Sequence, residues 1–268
     1  PKGHVIVVAD SAQIEARVLA WLAGQLDIVN AFAMKEDVYK LMASAIYGVP
    51  VDQVTKDQRF IGKICVLGLG YGMGHLKLQQ TLKQGVMGPP VDILFEECKR
   101  IVSIYRSRNY KIRQLWKTMD GIIASMLTGT HGEFGPLTYG KGYIQLPSGL
   151  FLQYYGLHGE AEVRHDDLVV NEATYLTRQG RSKIYGGLLT ENVVQALARV
   201  IIGEQMLAVD DAKIPIVTMS HDEIVALARL NQAEKVYQKM LRIMSTPPVW
   251  GQDIPLAADG GWDVNYSK

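Results

Sequence analysis

The chain has 268 residues, enough for one large domain or two modest ones with a substantial core. Hydrophobic residues make up 48% and charged residues 21%, which is ordinary for a soluble globular protein. The net charge of +1 excludes a strongly basic or acidic protein, so only local clusters of charge could indicate a nucleic-acid partner.

Cysteine usage and hydropathy exclude further classes of protein. Cys65 and Cys98 lie far apart and form no CxxC pair, so they indicate neither a disulfide framework nor a zinc site and fit a reducing compartment. No apolar run approaches the roughly 20 residues of a membrane span, and there is no signal peptide, so we expect no membrane partner. The sequence begins directly in a predicted strand, and we therefore expect it to be a piece of a longer protein.

The first part of the chain predicts one strand and then helices. Residues 4–9 (HVIVVA) form an uninterrupted run rich in β-branched residues, which is typical of a buried strand. Residues 11–24 and 36–48 change to a helical period, and each stretch ends at a glycine. Residues 55–74 predict a helix that Thr55 caps and that runs into closely spaced glycines.

The remainder mixes strands with helices, and the fold class is therefore α/β (α+β) with helices dominating. Thr190 is the predicted cap of the long helix in this part. The predicted elements are two helices over 91–128 broken near 107–109, short strands over 130–185, a helix over 190–209, a hairpin at 218–227 and a helix over 232–245.

The hairpin segment TMSHDEIVAL carries three ionisable residues, His221, Asp222 and Glu223, between two apolar runs. Burying such groups in a sheet is costly, so we expect them at a tight hairpin tip. Taken alone, the pattern favours a solvated turn with charged residues. The alternative is a hairpin that offers a carboxylate to a cation.

Asp10 ends the first buried strand just before a helix, where it could be no more than a helix N-cap. However, Asp10 and Asp222 both follow strands, and two carboxylates from separate strand ends can meet over one site. Such pairs bind Mg²⁺, and two ions held this way can stabilise phosphoryl transfer.

The helix at 55–74 carries Arg59 and Lys63 at i and i+4, with Leu67 and Tyr71 continuing the row. Two cations one turn apart repel unless an anion lies against both, and a solvated basic face explains the pair equally well. Because glycine lowers helix stability by up to ~1 kcal/mol relative to alanine, the glycines of this helix indicate the close approach of another object. These glycines are Gly62, Gly68, Gly70 and Gly72.

Together these segments resemble family A of the DNA polymerases, the DNA polymerase I family. DSAQIEARVLA (10–20) is similar to the first palm motif, RFIGKICVLGLGYG (59–72) to the fingers helix that covers the incoming nucleotide, and SHDE (220–223) to the last palm motif. Softer matches, notably LTENVVQA (189–196), resemble bacteriophage members. The resemblance covers essentially the whole chain.

The resemblance implies roles in catalysis. Asp10 and Asp222 would bind two Mg²⁺ ions, for which Mn²⁺ can substitute. Glu223 would be an accessory acid near the primer end, and His221 would shape the hairpin beside the DNA. Lys63 would also serve as general acid for the pyrophosphate leaving group.

The resemblance also implies roles in binding the nucleotide. Arg59 and Lys63 would grip the triphosphate and Gln13 would lie along it. Glu15 would be a steric gate at the 2′ position of the sugar. Tyr71 would pack beside the new base pair and hydrogen-bond Glu15.

The resemblance implies one further side chain in DNA binding, and local charge makes a second one a candidate. Gln195 would contact the minor groove of the primer–template. Arg181 belongs to a basic loop that could bind DNA or be solvated.

Several positions depart from the family pattern, and these departures bring sugar discrimination and nucleotide affinity into question. They are Ser11 and Ala12 in place of Tyr-Ser, Leu67 in place of an aromatic residue near the sugar, and Tyr39 in place of a triphosphate-binding His.

Two other patterns are weaker. A basic run from Lys99 to Lys117 could line the template strand or be a solvated helical face. Residues 135–142 nearly match a phosphate-binding loop, but Gly142 stands where a Ser or Thr should be, so we interpret them as a turn.

Under the resemblance, palm would comprise residues 1–35 and 131–268, and fingers residues 36–130. The thumb and any exonuclease would be absent, so a further N-terminal portion in the same or a separate chain would be a partner, together with primer–template DNA and dNTP. The location would be the cytoplasm of a bacterial or phage-infected cell. The alternatives are a single-subunit RNA polymerase, against which Glu15 argues, and a catalytically inactive DNA-binding subunit.

Overall fold

The structure is a computed structural model that describes residues 2–86, 88–164 and 167–266. Within these residues the helices are α1 (Ile14–Ala23), α2 (Leu26–Ala33), α3 (Val38–Tyr47), α4 (Lys56–Leu69), α5 (His75–Gln84), α6 (Phe95–Arg108), α7 (Tyr110–Thr128), α8 (Gly186–Asp211) and α9 (Ala233–Met244). The strands are β1 (His4–Ser11), β2 (Gly132–Phe134), β3 (Leu137–Gly140), β4 (Tyr143–Gln145), β5 (Phe151–Gln153), β6 (His158–Arg164), β7 (Asp167–Thr177), β8 (Gly180–Lys183), β9 (Ile216–Ser220), β10 (Glu223–Arg229) and β11 (Ala258–Asp263).

Contacts between residues divide the chain into two units. The first combines Pro1–Val18 with Gln195–Lys268, and the second is Leu19–Val194. The predicted palm and fingers boundaries at residues 35 and 130 do not coincide with these limits and stay a prediction.

The first unit is built on a four-stranded antiparallel sheet in the order β11-β1-β10-β9. The burial of β1 alternates, with Val5, Val7 and Ala9 buried on one face and every second residue half-buried on the other. This period of two is what a strand with one core face requires. Helix α9 packs against β1 and β11 and buries Met240 and Met244 completely.

The predicted hairpin is confirmed and has a two-residue loop. Ser220 pairs with Glu223, so His221 and Asp222 form the loop between β9 and β10. His221 has φ 54°, a left-handed conformation that two-residue hairpins favour but that usually selects Gly, Asn or Asp. The turn therefore keeps a strained non-glycine residue beside Asp222.

Strand β11 lies in the Pro- and Gly-rich C-terminal segment, where the sequence did not predict a strand. Gly260 has φ 155°, and a Cβ at this position would lie 2.1 Å from the carbonyl oxygen of Val8. The glycine thus permits β11 to approach β1, a tertiary requirement that strand propensity does not indicate.

The second unit has a helical core from α3, α4, α5 and α6. Helices α3 and α4 cross at Gly62, where a Cβ would lie 2.1 Å from the carbonyl oxygen of Tyr39. The sequence interpretation of this glycine is therefore corrected in one respect: the object that approaches is the backbone of a neighbouring helix. Cys65 and Cys98 are free thiols inside this core, and burial raises the pKa of the Cys65 thiol to about 12.

Most predicted helix ends are confirmed by local geometry. Gly48 has φ 65° at the end of α3. Thr55 and Gln58 form a reciprocal capping box at the start of α4. Helices α6 and α7 meet at Asn109, within the predicted break. The short helices α2 and α5 were not predicted.

The start of α8 was predicted wrongly. The helix begins at Gly186, whose N–H donates to the carboxylate of Asp120 at 2.6 Å. Thr190 lies one turn inside the helix, and its hydroxyl donates to the carbonyl oxygen of Gly186 at 2.7 Å. The N-terminus of α8 is therefore capped by a side chain from α7, which no local pattern could reveal.

Residues 130–185 form short strands, as predicted, in the sheets β2-β3-β4-β5 and β6-β7-β8. Gly142 lies in the turn between β3 and β4 with φ 72°, so residues 135–142 form no phosphate-binding loop. By length and composition alone, α8 could cross a membrane, contrary to the expectation of no such run. Half of its apolar window is buried inside the protein, as in the core helices that meet the same criterion.

Candidate active site

Three acidic residues occupy one rung of the first unit's sheet, which we call the acid rung. Asp10 on β1 lies opposite Glu223 on β10 and, on its other side, opposite Asp259 on β11. Side chains of directly opposed residues in neighbouring strands project from the same face, about 4.5–5.5 Å apart at Cβ. The acid rung therefore concentrates negative charge on the face of β1 that the core leaves uncovered.

This face lines a groove of about 540 Å³. All three members of the acid rung border it, together with Ile6 and Val8 of β1 and residues 260–263 and 265. The groove is thus a concave, acid-lined surface formed entirely within the first unit.

Glu223 is the deeply buried member of the acid rung, with an exposed fraction of 1%. The hydroxyl of Tyr266 donates a 2.8 Å hydrogen bond to its Oε1. A buried carboxylate needs such donors, because an unsatisfied one carries a large desolvation cost. Tyr266 was not singled out from the sequence.

Asp222 lies next to the acid rung in the hairpin loop. Its carbonyl oxygen accepts a 3.0 Å hydrogen bond from the amide of Ser11, the residue after Asp10. This bond holds the hairpin loop against the last residue of β1, so Asp222 is fixed beside the strand end that carries Asp10. Asp222 is half-buried and His221 is exposed.

The donor chemistry of this surface fits a hard divalent cation, because carboxylate oxygens are the ligands that Mg²⁺ prefers. Within residues 2–86, 88–164 and 167–266, no three His, Cys, Asp or Glu side chains converge closely enough to ligate one ion alone. An ion held by Asp10 and Asp222 would therefore complete its coordination with water or ligand oxygens, as Mg²⁺ commonly does.

The loop after β1 is tied to the C-terminal segment by Arg17. Its Nε donates to the carbonyl oxygen of Ala12 at 2.7 Å, its Nη2 donates to Oε1 of Gln13 at 3.3 Å, and its Nη1 donates to the carbonyl oxygen of Pro255. The guanidinium is almost completely buried, so these acceptors satisfy it. Gln13 itself is exposed with φ 47°, and Glu15 is half-buried at the start of α1.

Other predicted residues of the first unit lie at its surface. Gln195 is exposed on α8, one turn before the exposed Arg199. Arg199 donates to the sulfur of Met219 on β9 at 3.2 Å. This contact joins the exposed side of α8 to the strand that leads into His221.

In the second unit, α4 carries the predicted row Arg59, Lys63, Leu67, with Tyr71 just beyond its end. All four side chains are half-buried. Arg59 pairs with Asp37, and its guanidinium carbon lies 5.2 Å from the centre of the Tyr39 ring. Asp37 was not predicted as a site residue.

The C-terminal end of α4 packs against other parts of the second unit. The indole N–H of Trp116 donates to the carbonyl oxygen of Gly70 at 2.8 Å. A Cβ at Gly187 would lie 2.5 Å from the carbonyl oxygen of Tyr71. The predicted nucleotide-facing helix is thus anchored to α7 and to the start of α8.

The basic side chains of the second unit are not all available for ligands. Arg100 pairs with Glu97 at 2.5 Å, and Lys99 pairs with Glu96 at 3.8 Å, so acids just before the predicted basic run neutralise its start. Arg181 donates to the hydroxyl of Thr174 on β7 and to the carbonyl oxygen of Gly156 in the loop between β5 and β6. These bonds tie β8 to β7 and to that loop.

Comparison with known proteins places these features in a family. A sequence model of DNA polymerase family A matches residues 1–125. The DNA polymerase of Bacillus phage SP02 is 31% identical over 279 residues, which cover 100% of this chain and 42% of that polymerase. DNA polymerase I of Mycobacterium bovis is 40% identical over 78 residues, which cover 29% of this chain and 9% of that enzyme.

These matches make the chain a relative of the DNA polymerases of family A. The resemblance predicted from the three sequence motifs is therefore confirmed. The part matched by the family A model contains Asp10 and the α4 row, and the alignment with the phage polymerase extends over the hairpin with Asp222. The chain spans 42% of the length of that phage relative.

A solved family A structure has the same fold. The POL domain of Pol1 from M. smegmatis, in complex with DNA primer-template and dNTP, matches with a TM-score of 0.63 at 21% identity. The match covers 98% of this chain and 40% of that chain. It confirms the predicted mixed fold of palm sheet and helical fingers.

The structure places the predicted site residues of this chain in two groups. In the first unit, Asp10 and Glu223 lie on the adjoining strands β1 and β10, and Asp222 lies in the loop between β9 and β10. In the second, Arg59 and Tyr39 are in contact, and Lys63 follows one turn later. Sequence reasoning missed Asp259, Tyr266, Arg17 and Asp37, because each acts through a partner distant in sequence.

Proposed function

We propose that this chain is the palm and fingers part of a DNA-directed DNA polymerase that adds dNTPs to the 3′ end of a primer on a template. The observation that carries the proposal is the acid rung beside Asp222. Like charges on directly opposed strand residues destabilise a sheet, so three acids on one rung that lines a groove indicate a function that offsets this cost. Binding of cations is the function that fits carboxylates in a groove.

The proposed cofactor is a pair of Mg²⁺ ions, for which Mn²⁺ can substitute, held by Asp10 and Asp222. When bound, two such ions stabilise the attacking and leaving oxygens of a phosphoryl transfer. Glu223 is held by Tyr266 beneath the groove surface, so it acts as an accessory negative charge that orients the site. His221 would shape the loop through its strained backbone.

Arg59 and Lys63 are proposed to bind the triphosphate of the incoming dNTP. They stand one turn apart on α4, a spacing at which two cations need a shared anion. Lys63 would donate a proton to the departing pyrophosphate. Tyr39 is neutral where a cationic His is common and is almost completely buried, so phosphate binding depends more heavily on the two cations.

Selection of the sugar is proposed to depend on Glu15 and Leu67. Glu15 would exclude a 2′-hydroxyl by its bulk and by leaving that hydroxyl unpaired, which costs about 1–3 kcal/mol. Leu67 offers no hydroxyl near the 3′ position, so we expect discrimination against dideoxynucleotides. Tyr71 would pack beside the new base pair, and Gln13 would lie along the phosphates.

Contacts with primer–template DNA are proposed for Gln195 and for His221, because both are exposed in the unit that carries the acid rung. Arg181 is a weaker candidate, since its Nε and Nη2 already donate within its own sheet and loop. We also propose that duplex binding requires a further polymerase portion, supplied by the same or a separate chain, because this chain spans 42% of its phage relative.

Primer extension tests the proposal. The assay should use this chain together with the remaining polymerase portion and Mg²⁺, with dNTPs and NTPs supplied separately. Asp10→Ala and Asp222→Ala should abolish extension while DNA binding persists, whereas Asp263→Asn, which changes another acid lining the groove, should retain it. Glu15→Ala should raise incorporation of ribonucleotides by about 10- to 150-fold.

Extension that survives in Asp222→Ala would refute the assignment of the ion-binding pair. Wild-type protein that binds DNA without extending a primer would favour the inactive-subunit alternative. An unchanged ribonucleotide ratio in Glu15→Ala would reopen the choice between DNA and RNA polymerase.

A further inference from the structure

The inference concerns Asp37, the residue before the first turn of α3. Its Oδ1 accepts hydrogen bonds from the backbone N–H groups of Tyr39 and Lys40, each at 3.1 Å. These bonds cap α3 and fix the orientation of the carboxylate. The other oxygen, Oδ2, therefore points in a direction set by the helix rather than by solvent.

Oδ2 accepts a 2.6 Å hydrogen bond from Nε of Arg59. The same guanidinium lies over the ring of Tyr39, with 5.2 Å between Cζ and the ring centre. Tyr39 is almost completely buried and so provides a rigid surface. Arg59 is thus held along its edge by Asp37 and on its face by Tyr39.

The choice of donor atom decides what this contact does. The bond uses Nε, and in the described part of the chain neither Nη1 nor Nη2 of Arg59 donates a hydrogen bond. The two terminal nitrogens form the fork that binds phosphate oxygens in a bidentate way. An acid that blocked the site would occupy that fork, whereas Asp37 leaves it open.

We propose that Asp37 is a positioning residue for the nucleotide, which fixes Arg59 with its phosphate-binding edge presented before the triphosphate arrives. The inference rests on the proposed function, in which Arg59 binds the triphosphate. Arg is a long, flexible side chain, and ordering it on binding reduces affinity. Because Asp37 already orders the Arg59 side chain in the folded protein, binding of the triphosphate does not have to offset that loss of conformational entropy.

The test variant is Asp37→Asn. Its amide oxygen can still accept from the N–H groups of Tyr39 and Lys40, so the cap on α3 is kept, but its NH₂ group has no lone pair for Nε of Arg59. Asp57→Asn is the matched control, because it removes one exposed acid two residues from Arg59 without touching the guanidinium.

The measurement is single-turnover incorporation by the polymerase containing the full chain, with dNTP concentration varied. Asp37→Asn should weaken apparent dNTP affinity by about 2- to 12-fold, the cost of immobilising one long side chain, and leave the maximal rate within about twofold. Asp57→Asn should change neither quantity. A thermal unfolding curve close to that of the wild type would show that Asp37→Asn remains folded.

A double-mutant cycle separates this inference from the function on which it rests. In an Arg59→Ala background, Asp37→Asn should cause no further loss of dNTP affinity. If Arg59→Ala weakens affinity but Asp37→Asn leaves it unchanged, tightens it or adds to the Arg59→Ala loss, the positioning role is wrong while the proposed function stands. If Arg59→Ala itself has no effect on dNTP affinity, the proposed function of Arg59 fails first.

Discussion

Repulsion across the acid rung should be measurable as a loss of stability. Asp10 faces an acid on both sides, Glu223 and Asp259, whereas Asp259 faces one. Directly opposed like charges in a sheet cost roughly 0.2–1 kcal/mol for each pair. Without a divalent cation, Asp259→Asn should therefore stabilise the protein by about 0.2–1 kcal/mol, and Asp10→Asn should stabilise it about twice as much.

Thermal unfolding in a chelator, followed by circular dichroism, measures this effect. A gain of 1 kcal/mol raises the melting temperature of a protein near this size by about 2–4 °C, so Asp10→Asn should shift it by about 1–8 °C. Asp263→Asn is the control, because Asp263 lines the same groove but pairs across the sheet with Ile6 rather than with an acid.

Mg²⁺ should reverse the order of stability. A ligand at 100 times its dissociation constant stabilises the folded state by about 2.7 kcal/mol, more than the gain expected for Asp10→Asn in chelator, so the ion at that concentration should raise the melting temperature of the wild type above that of the variant. Asp10→Asn should lose most of that increase. The reasoning would be refuted if Asp10→Asn lowered stability in chelator, or if Mg²⁺ stabilised it as much as the wild type.

Two further outcomes follow from the second unit. Gly62→Ala should lower the melting temperature, because the added Cβ would lie 2.1 Å from the carbonyl oxygen of Tyr39. Gly68→Ala in the same helix is the control and should not lower the melting temperature, because its Cβ would meet only the flexible end of a methionine side chain. Burial raises the pKa of Asp120 above its ordinary value of 3.8, an effect that the N–H of Gly186 partly opposes. Stability from Asp120 is therefore fully present below pH 3.8 and is lost as the pH rises through the raised pKa. The variant Asp120→Asn should be more stable than the wild type at neutral pH and should show no gain below pH 3.8. A series of unfolding curves at different pH values measures this difference.

Local chemistry explains which parts of the fold could be predicted. The β-branched run of β1, the left-handed glycine after α3 and the capping box at Thr55 each specify a conformation within a few residues. The sequence could not predict β11, because Gly260 is required by its approach to Val8 and not by its own propensity. The start of α8 was missed for the same reason, since its capping carboxylate comes from α7.

The candidate site divides in the same way. Asp10, Asp222, Arg59 and Lys63 could be selected as candidates, because charged residues at strand ends or at i, i+4 are visible in a linear pattern, and their roles stay predictions. Their supporting contacts were invisible, because each joins segments distant along the chain. Asp37 reaches Arg59 from another helix, and similar long-range pairings bring Asp259 and Tyr266 to the acid rung. The location in the cytoplasm stays a prediction.

The position of β1 in its sheet has a consequence for synthesis of the chain on the ribosome. Within this sequence, strand β1 is translated before the second unit, whereas both of its neighbours in the sheet, β10 and β11, are translated after it. Until then, the apolar residues Val5, Val7 and Ala9 have no sheet to join, and an unpaired apolar strand is prone to aggregation. The second unit, which lies wholly within residues 19–194, can form its core during this interval. Asp10, which we propose as a metal ligand, therefore stays on an unpaired strand until β10 has been translated, and this is the stage at which a chaperone would have most to protect.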